Sequence, residues 1–260
     1  MDADQHARFA DLLANAEADK KAVAKFGEAE GLSLEDAYEI QAINVAARQA
    51  KGAQLVGHKI GITSHAIQSW LKVDQPDYGA LFDDMEIGDG GMLARSDLLQ
   101  PRAEGEIAFV LKDDLAEGGI TTHRVLSATD YLLPCIEIVD SRVEHWDIAI
   151  TDTIADNASA GRYVLGTKPT PVADVDLVLC GMALRKNGQV VSTGAGINCL
   201  DNPVNAVVWL AKKMQELGTP LRKGQVILSG ALGPVTELAV GDHVELSIHG
   251  LGDVQFRVGE

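Results

Sequence analysis

The sequence predicts an α+β protein, and three observations carry that prediction. Amphipathic helix patterns open the chain, period-two strand patterns dominate the remainder, and one long helix interrupts the later strands. Helices set apart from strands, without strict βαβ alternation, indicate α+β layering. The 260 residues are 46% hydrophobic, enough for a sizeable core. No linker, low-complexity run or solenoid repeat divides them, so one domain over 1–260 is expected, a helical N-terminal segment (1–52) packed on a β-rich core (53–260).

Residues 4–26 and 34–50 read as helices; Ser33 is a good N-cap with Asp36 three positions on, and Gly52 lies just past the second helix. "QLVGHKIGITS" (54–64) is strand-like, "SHAIQSWL" (64–71) is a short helix capped by Ser64, and "QPDYG" (75–79) has turn chemistry. Further strands are expected near 106–112, 135–142, 162–166, 175–193 (two arms around Lys186-Asn187-Gly188), 225–230, 243–249 and 253–258. In "DNPVNAVVWLAKKMQELG", Asn202 can cap, Pro203 fits the first turn, and Gly218 ends a helix whose stripe is Val204, Val207, Val208, Ala211 and Met214.

Charge and cysteines exclude several classes. A net charge of −16 argues against nucleic acid or an anionic membrane as partner, and an anionic ligand would need a local cation. Cys135, Cys180 and Cys199 are widely spaced in apolar surroundings and read as buried free thiols, which fits a cytoplasmic protein. The N-terminus is an acidic amphipathic pattern, not a signal peptide, and no apolar run approaches the ~20 residues of a membrane span. "STGAGINC" lacks the third glycine of a dinucleotide loop, there is no Walker A lysine or GxSxG elbow, and the seven histidines form no HxH or HExxH.

One group of residues stands out. In "RAEGEIAFV", Ala103, Gly105, Ile107 and Phe109 point one way and Glu104, Glu106, Ala108 and Val110 the other. Both faces are largely apolar, as in a strand buried on both sides. In "LLPCIEIVDSR" a second strand carries Glu137 on a face with Cys135 and Val139. A single such glutamate would ordinarily pair with an arginine, and Arg102 and Arg142 are nearby. Three converging carboxylates are different: two like charges ~4 Å apart repel by roughly 4 kcal/mol at an effective dielectric of 20, so they need a cation or must protonate. Three such oxygens begin an octahedral Mg²⁺ or Mn²⁺ shell. Lys59 shares a strand face with Gly57, Gly61 and Thr63, which leaves room for something to approach it. Taken alone, Asp77 is a turn residue and "TDTIADNASAG" (151–161) a polar loop.

Together with "VDQPDYGALFDDM", "DTIADNASAGRYVLG", "NGQVVSTGAG", "NPVNAVVWLA" and "GQVILSGAL", these segments resemble the 2-oxopent-4-enoate hydratase and 4-oxalocrotonate decarboxylase family of the fumarylacetoacetate hydrolase superfamily, from about Asp36 to the C-terminus. The chain departs from the family pattern at Asp201, at His58 and in "GALGPVTELAVGD". The resemblance implies a mixed β-roll core in one catalytic domain. It implies a divalent metal, Mg²⁺ or Mn²⁺, held by Glu104, Glu106 and Glu137, with Lys59 as acid/base group. Asp77 matches a pocket segment and would orient water or the lysine, while Asn157 and Ser159 of the "ADNAS" loop would meet the substrate. Lys59, near a cation and partly desolvated, would have a lowered pKa.

The reaction so implied is hydration of 2-hydroxypenta-2,4-dienoate (2-oxopent-4-enoate), or a close homologue, to 4-hydroxy-2-oxopentanoate in meta-cleavage degradation of aromatic compounds. The alternatives are 4-oxalocrotonate (2-oxohex-3-enedioate) decarboxylation and a non-catalytic partner subunit; a retired site has no physical reason to keep buried carboxylates. Trp70, Leu71, Leu81, Phe82 and Leu232 are expected near the distal end of the substrate, with Lys72 the one lysine or arginine there. A homo-oligomer, able to associate with the related decarboxylase or hydratase, is also implied.

Overall fold

A computed structural model describes residues 1–260. Helix α1 (Ala3–Asp19) starts from a reciprocal capping box between Asp2 and Gln5. It ends seven residues before the expected position 26, because Lys20 turns left-handed and the residues after it find distant partners. Val23 N–H donates to the Arg142 carbonyl (2.9 Å), and the Phe26 and Gly27 N–H groups donate to Asp152 Oδ1 (3.0 and 2.7 Å). Tertiary pairing overrides local helical periodicity there. Helix α2 (Leu34–Ala50) begins at the Ser33–Asp36 box, as its pattern predicts.

Strand β1 (Leu55–Gly61) leads to helix α3 (His65–Leu71), whose Ile67 N–H donates to Ser64 Oγ (3.2 Å). The expected 75–79 turn is shorter than its composition suggests: by Asp77 the chain is already strand β2 (Asp77–Phe82), paired with β1 and buried throughout. Then come β3 (Glu86–Ile87), β4 (Met92–Ala94), β5 (Arg102–Leu111), α4 (Thr122–Ala128), β6 (Thr129–Val139), α5 (Ile150–Ala155) and β7 (Ala160–Leu165). The hairpin around Asn187-Gly188 is β8 (Gly181–Lys186) and β9 (Gln189–Ala195). Its first arm starts later than 175, since Asp176 Oδ1 accepts the Val178 and Leu179 N–H groups and folds a turn. Helix α6 (Pro203–Glu216) is capped by Asn202 and precedes β10 (Val226–Leu228), β11 (Thr236–Glu237), β12 (His243–Ile248) and β13 (Gly252–Gly259).

One sheet runs β2-β1-β10-β5-β6-β7-β3, with β11 also on β5; the other runs β4-β13-β12-β8-β9. Both are mixed, with β1–β10, β3–β7 and β4–β13 parallel and the other pairs antiparallel. The architecture is the α+β arrangement that the pattern predicts, and its sheets are mixed, as the resemblance implies.

Between the sheets lies the main apolar cluster, where Ile107, Phe109 and Ile136 meet Leu184, Leu246 and Phe256, closed by Val207 and Leu210 of α6. A second cluster sits on the other face of the first sheet, built from Leu81, Ala108, Leu133, Cys135 and Leu228. A third packs α1 and α2 against α5 through Phe9, Leu13, Ile40 and Ile154. All three cysteines are free and buried, and no helix is long and apolar enough to cross a membrane.

Candidate active site

The strand alternation determines what the first sheet buries. Ala103, Ile107 and Phe109 enter the main cluster, so Glu104 and Glu106 must face the opposite side. The β5–β6 register places Glu104 opposite Glu137 and Glu106 opposite Cys135. The three glutamates therefore converge at one end of a face whose other end is the second apolar cluster. One oxygen from each lies within 4.8 Å of the others, and the residues are 9%, 0% and 1% exposed. Neither arginine neutralises them. Arg102 lies over the Trp146 ring and pairs with Glu237, and Arg142 pairs with Asp156.

Glu106 Oε2 accepts the Gly230 N–H at 2.7 Å, but Glu106 Oε1 and both Glu137 oxygens have no hydrogen-bond donor. Gly230 can serve because its φ of +109° excludes a side chain, and a Cβ there would lie 2.2 Å from Thr63 Oγ1. Burial first, then repulsion from Glu137, pushes the Glu104 carboxyl up to about 7. The same two causes, with Glu104 added, hold Glu106 well above the carboxylate range.

Lys59 is 2% exposed. Its Nζ donates to the Ala158 carbonyl at 2.9 Å and sits 3.2 Å from Glu137 Oε1, at ion-pair distance but not aligned as a hydrogen bond. The lowered lysine pKa expected beside a cation is not what the protein's own charges produce. Burial lowers it, yet Glu137, Asp77, Glu104 and Glu106 together outweigh burial and hold the ammonium above its ordinary value. Asp77 is buried on β2, and burial raises its pKa while Lys59 and the Thr153 hydroxyl oppose that rise.

The segment read as a polar loop is a buried structure. Helix α5 places Thr151, Asp152, Thr153, Ile154 and Ala155 in the interior. After it, Asn157, Ala158 and Ser159 adopt φ of 54°, 50° and 53°, three consecutive non-glycine residues in the left-handed region. Each costs about 1–2 kcal/mol, so other contacts must hold the turn. Asn157 clamps Ala80, accepting its N–H at 2.7 Å and donating to its carbonyl at 3.0 Å. The Arg142 guanidinium ties Asp156 to the Asp140 and Ala160 carbonyls. The turn thereby aims the Ala158 carbonyl at Lys59. Ser159 Oγ lies 3.4 Å from Thr153 Oγ1.

Lys59, Asp77, Ser159 and the glutamate triad are thus neighbours, whereas the Asn157 side chain, expected to meet substrate, is committed to Ala80. The other face of the turn lines a groove of about 620 Å³ between α1 and α2 that none of the triad, Lys59 or Asp77 reaches. Leu81 and Phe82, expected near the substrate, are 1% exposed and built into the second apolar cluster, and Trp70 is 65% exposed on α3. Thr153 and Gly230 are not legible in the sequence: a buried threonine in a polar segment carries no signal, and a glycine near a strand end reads as a turn.

Four buried carboxyls share one ammonium here, and unit charges within 4.8 Å of one another, as the three glutamates can place them, repel by about 3 kcal/mol or more at an effective dielectric of 20. The unpartnered Glu106 and Glu137 oxygens fit a divalent cation, and an all-oxygen donor set suits Mg²⁺ or Mn²⁺.

The comparisons with known proteins agree with this geometry. Residues 56–259 match the model for the fumarylacetoacetate (FAA) hydrolase C-terminal family. The chain is 46% identical over 244 residues, 94% of this chain and 93% of the relative, to 2-keto-4-pentenoate hydratase 1 of Dechloromonas aromatica (strain RCB). This chain belongs to the 2-keto-4-pentenoate hydratase and 4-oxalocrotonate decarboxylase family of the fumarylacetoacetate hydrolase superfamily. It is also 51% identical to the 2-keto-4-pentenoate hydratase of Paraburkholderia xenovorans (strain LB400), over 86% of this chain and 83% of the relative. Among solved structures, the 4-oxalocrotonate decarboxylase of Pseudomonas putida G7, complexed with magnesium and adipate, superposes with a TM-score of 0.94 at 33% identity, covering 99% of this chain and 98% of that one. Membership of this hydratase and decarboxylase family makes the chain an enzyme.

Proposed function

We propose that this protein is a metal-dependent hydro-lyase that converts 2-hydroxypenta-2,4-dienoate (2-oxopent-4-enoate), or a close homologue, to 4-hydroxy-2-oxopentanoate. The observation that carries this reading is the buried triad Glu104, Glu106 and Glu137 beside Lys59, in a chain 46–51% identical to hydratases and 33% identical to the decarboxylase. The three glutamates would hold Mg²⁺ or Mn²⁺. When bound, that ion supplies positive charge for the substrate carboxylate and for the negative charge that develops on its 2-oxygen.

The chain's own groups do the rest. Lys59 keeps a proton at Nζ, steadied by the Ala158 carbonyl, and is the group able to exchange it during the shift from enol to ketone and the protonation at C5. Asp77 lies on the strand next to Lys59 and orients either the lysine or the water that adds at C4. The Ser159 hydroxyl is the substrate contact of the left-handed turn, and Asn157 supports binding only by shaping that turn. The same reading places the enzyme in meta-cleavage degradation of aromatic compounds, in the cytoplasm, as a homo-oligomer able to associate with the related decarboxylase.

The decarboxylase reading has one observation in its favour, the close superposition on the Pseudomonas putida G7 enzyme. The test is kcat/KM for 2-hydroxypenta-2,4-dienoate and for 2-oxohex-3-enedioate in one metal buffer. CO₂ release should be slower than hydration by at least ~10²-fold, about 2.7 kcal/mol of transition-state discrimination. Faster CO₂ release than hydration overturns the hydratase assignment.

A further inference from the structure

We propose that Thr153 is the positioning residue for Asp77, fixing which carboxyl oxygen is free to act and letting that carboxyl exist with or without a proton. The inference rests on the proposed function in placing Asp77 in the catalytic group.

Asp77 is 1% exposed, and a single side chain donates to its carboxyl. Thr153 Oγ1 donates to Oδ2 at 3.3 Å, while Oδ1 has no donor. The free oxygen has a definite place. It lies 2.3 Å from where a Gly61 side chain would begin, and Lys59 Nζ lies 3.5 Å from the same point. Holding Oδ2 therefore leaves Oδ1 free on the Gly61 side of the carboxyl, where Lys59 Nζ also lies but without an ion pair to it.

The donor is a hydroxyl, which also has consequences. A backbone N–H can only donate, and would hold Asp77 as a carboxylate. A hydroxyl both donates and accepts, so Thr153 donates to ionised Asp77 and accepts from protonated Asp77. Its own proton then needs somewhere to go, and Ser159 Oγ is 3.4 Å away, itself 3.4 Å from Asp156 Oδ2. With one proton on each hydroxyl, Thr153 and Ser159 can point toward Asp77 or away from it, toward Asp156. Contrast Asp152 on the same helix, whose carboxylate accepts three backbone N–H groups and has no such freedom. Those bonds to Phe26, Gly27 and Ala149 anchor α5, so Thr153 is presented by a fixed helix.

The test compares Thr153→Val, which keeps the shape and loses the hydroxyl, with Thr153→Ser, which keeps the hydroxyl. Each is assayed as full-length, metal-loaded protein on whichever of dienoate hydration or CO₂ release the wild type catalyses. Thr153→Val should lower kcat by on the order of 10-fold with KM changed less than about twofold, and Thr153→Ser should stay within about threefold of wild type. A wild-type kcat in the valine variant, or an equal loss in the serine variant, overturns the proposal. An infrared readout needs no turnover and separates this inference from the assignment of the reaction. The carboxyl band identified by its loss in Asp77→Asn should shift in Thr153→Val and not in Thr153→Ser. An unshifted band in Thr153→Val overturns the role of the hydroxyl, whatever the substrate.

Discussion

Glu104 and Glu137 stand directly opposite one another on antiparallel strands β5 and β6, both buried. Like charges in that cross-strand position destabilise a sheet. Folding these strands therefore assembles a site that favours a cation, since Lys59 alone cannot balance the cluster. The acidic protein thus acquires locally the positive charge needed to hold an anionic substrate.

Metal removal should therefore lower both activity and stability. Chelator-treated protein should be inactive, regain activity with Mg²⁺ or Mn²⁺, and melt at a lower temperature than metal-loaded protein. At a metal concentration ~100 times Kd the linkage is about 2.7 kcal/mol. Glu106→Gln should weaken Mn²⁺ binding, read by calorimetry, while the protein stays folded by circular dichroism. Full activity in verified metal-free protein is the result that excludes the site.

Lys59 is the one cation among these carboxyls. Lys59→Met should lower kcat by on the order of 10²-fold or more, the usual scale for a general acid–base group, with Mn²⁺ still bound. A near-normal kcat would make Lys59 only a structural counter-charge to Glu137.

The ion pair of Arg142 and Asp156 lies behind the site, with side chains 6% and 1% exposed. Breaking it leaves a buried charge unpaired, which costs about 3–5 kcal/mol. Arg142→Met should show that loss in urea unfolding. It should also lower kcat in the folded fraction, because the guanidinium staples the left-handed turn that carries the Ala158 carbonyl. A stability change below about 1 kcal/mol, the value of an exposed pair, would show that the pair is solvated.

Much of the site is legible in the sequence because strand periodicity is a strict rule. Once Ile107 and Phe109 are assigned to the core, Glu104 and Glu106 have no other side to occupy, and Glu137 follows from its own alternation with Ile136 and Ile138. Lys59 is visible through its glycine neighbours. The 150–159 segment is not legible, because buried polar residues satisfied by tertiary hydrogen bonds have the composition of a solvated loop. Only the chain around Phe26, Gly27 and Ala80 distinguishes them. The end of α1 is hidden for the same reason, with residues 21–26 continuing a helical pattern that distant partners overrule. The place of Leu81 and Phe82 is not legible either, because an apolar residue near a buried aspartate reads alike whether it lines a cavity or packs in a cluster, where the structure puts both.

His58 gives a prediction about acid stability. It is 4% exposed on β1, its ring 6.3 Å from that of Tyr78, and its Nδ1 has no hydrogen-bond partner. Burial pushes its pKa down to about 4 from the ordinary 6.5. Between those values the unfolded chain binds a proton there that the native protein does not. This contribution is therefore fully present above about pH 6.5 and is lost as pH falls toward about 4. Its full size is on the order of 3 kcal/mol, from 1.36 kcal/mol per pKa unit. The buried carboxyls Glu104, Glu106 and Asp77 have raised values and act with the opposite sign, so the His58 share must be isolated by difference. Unfolding free energies of wild type and His58→Gln, measured from pH 4 to 8 at saturating Mg²⁺, should converge as pH falls, with the wild type losing its advantage between about 6.5 and 4. Parallel curves over that range would mean that the imidazole is protonated alike in the native and unfolded states, and that its burial carries no charge penalty.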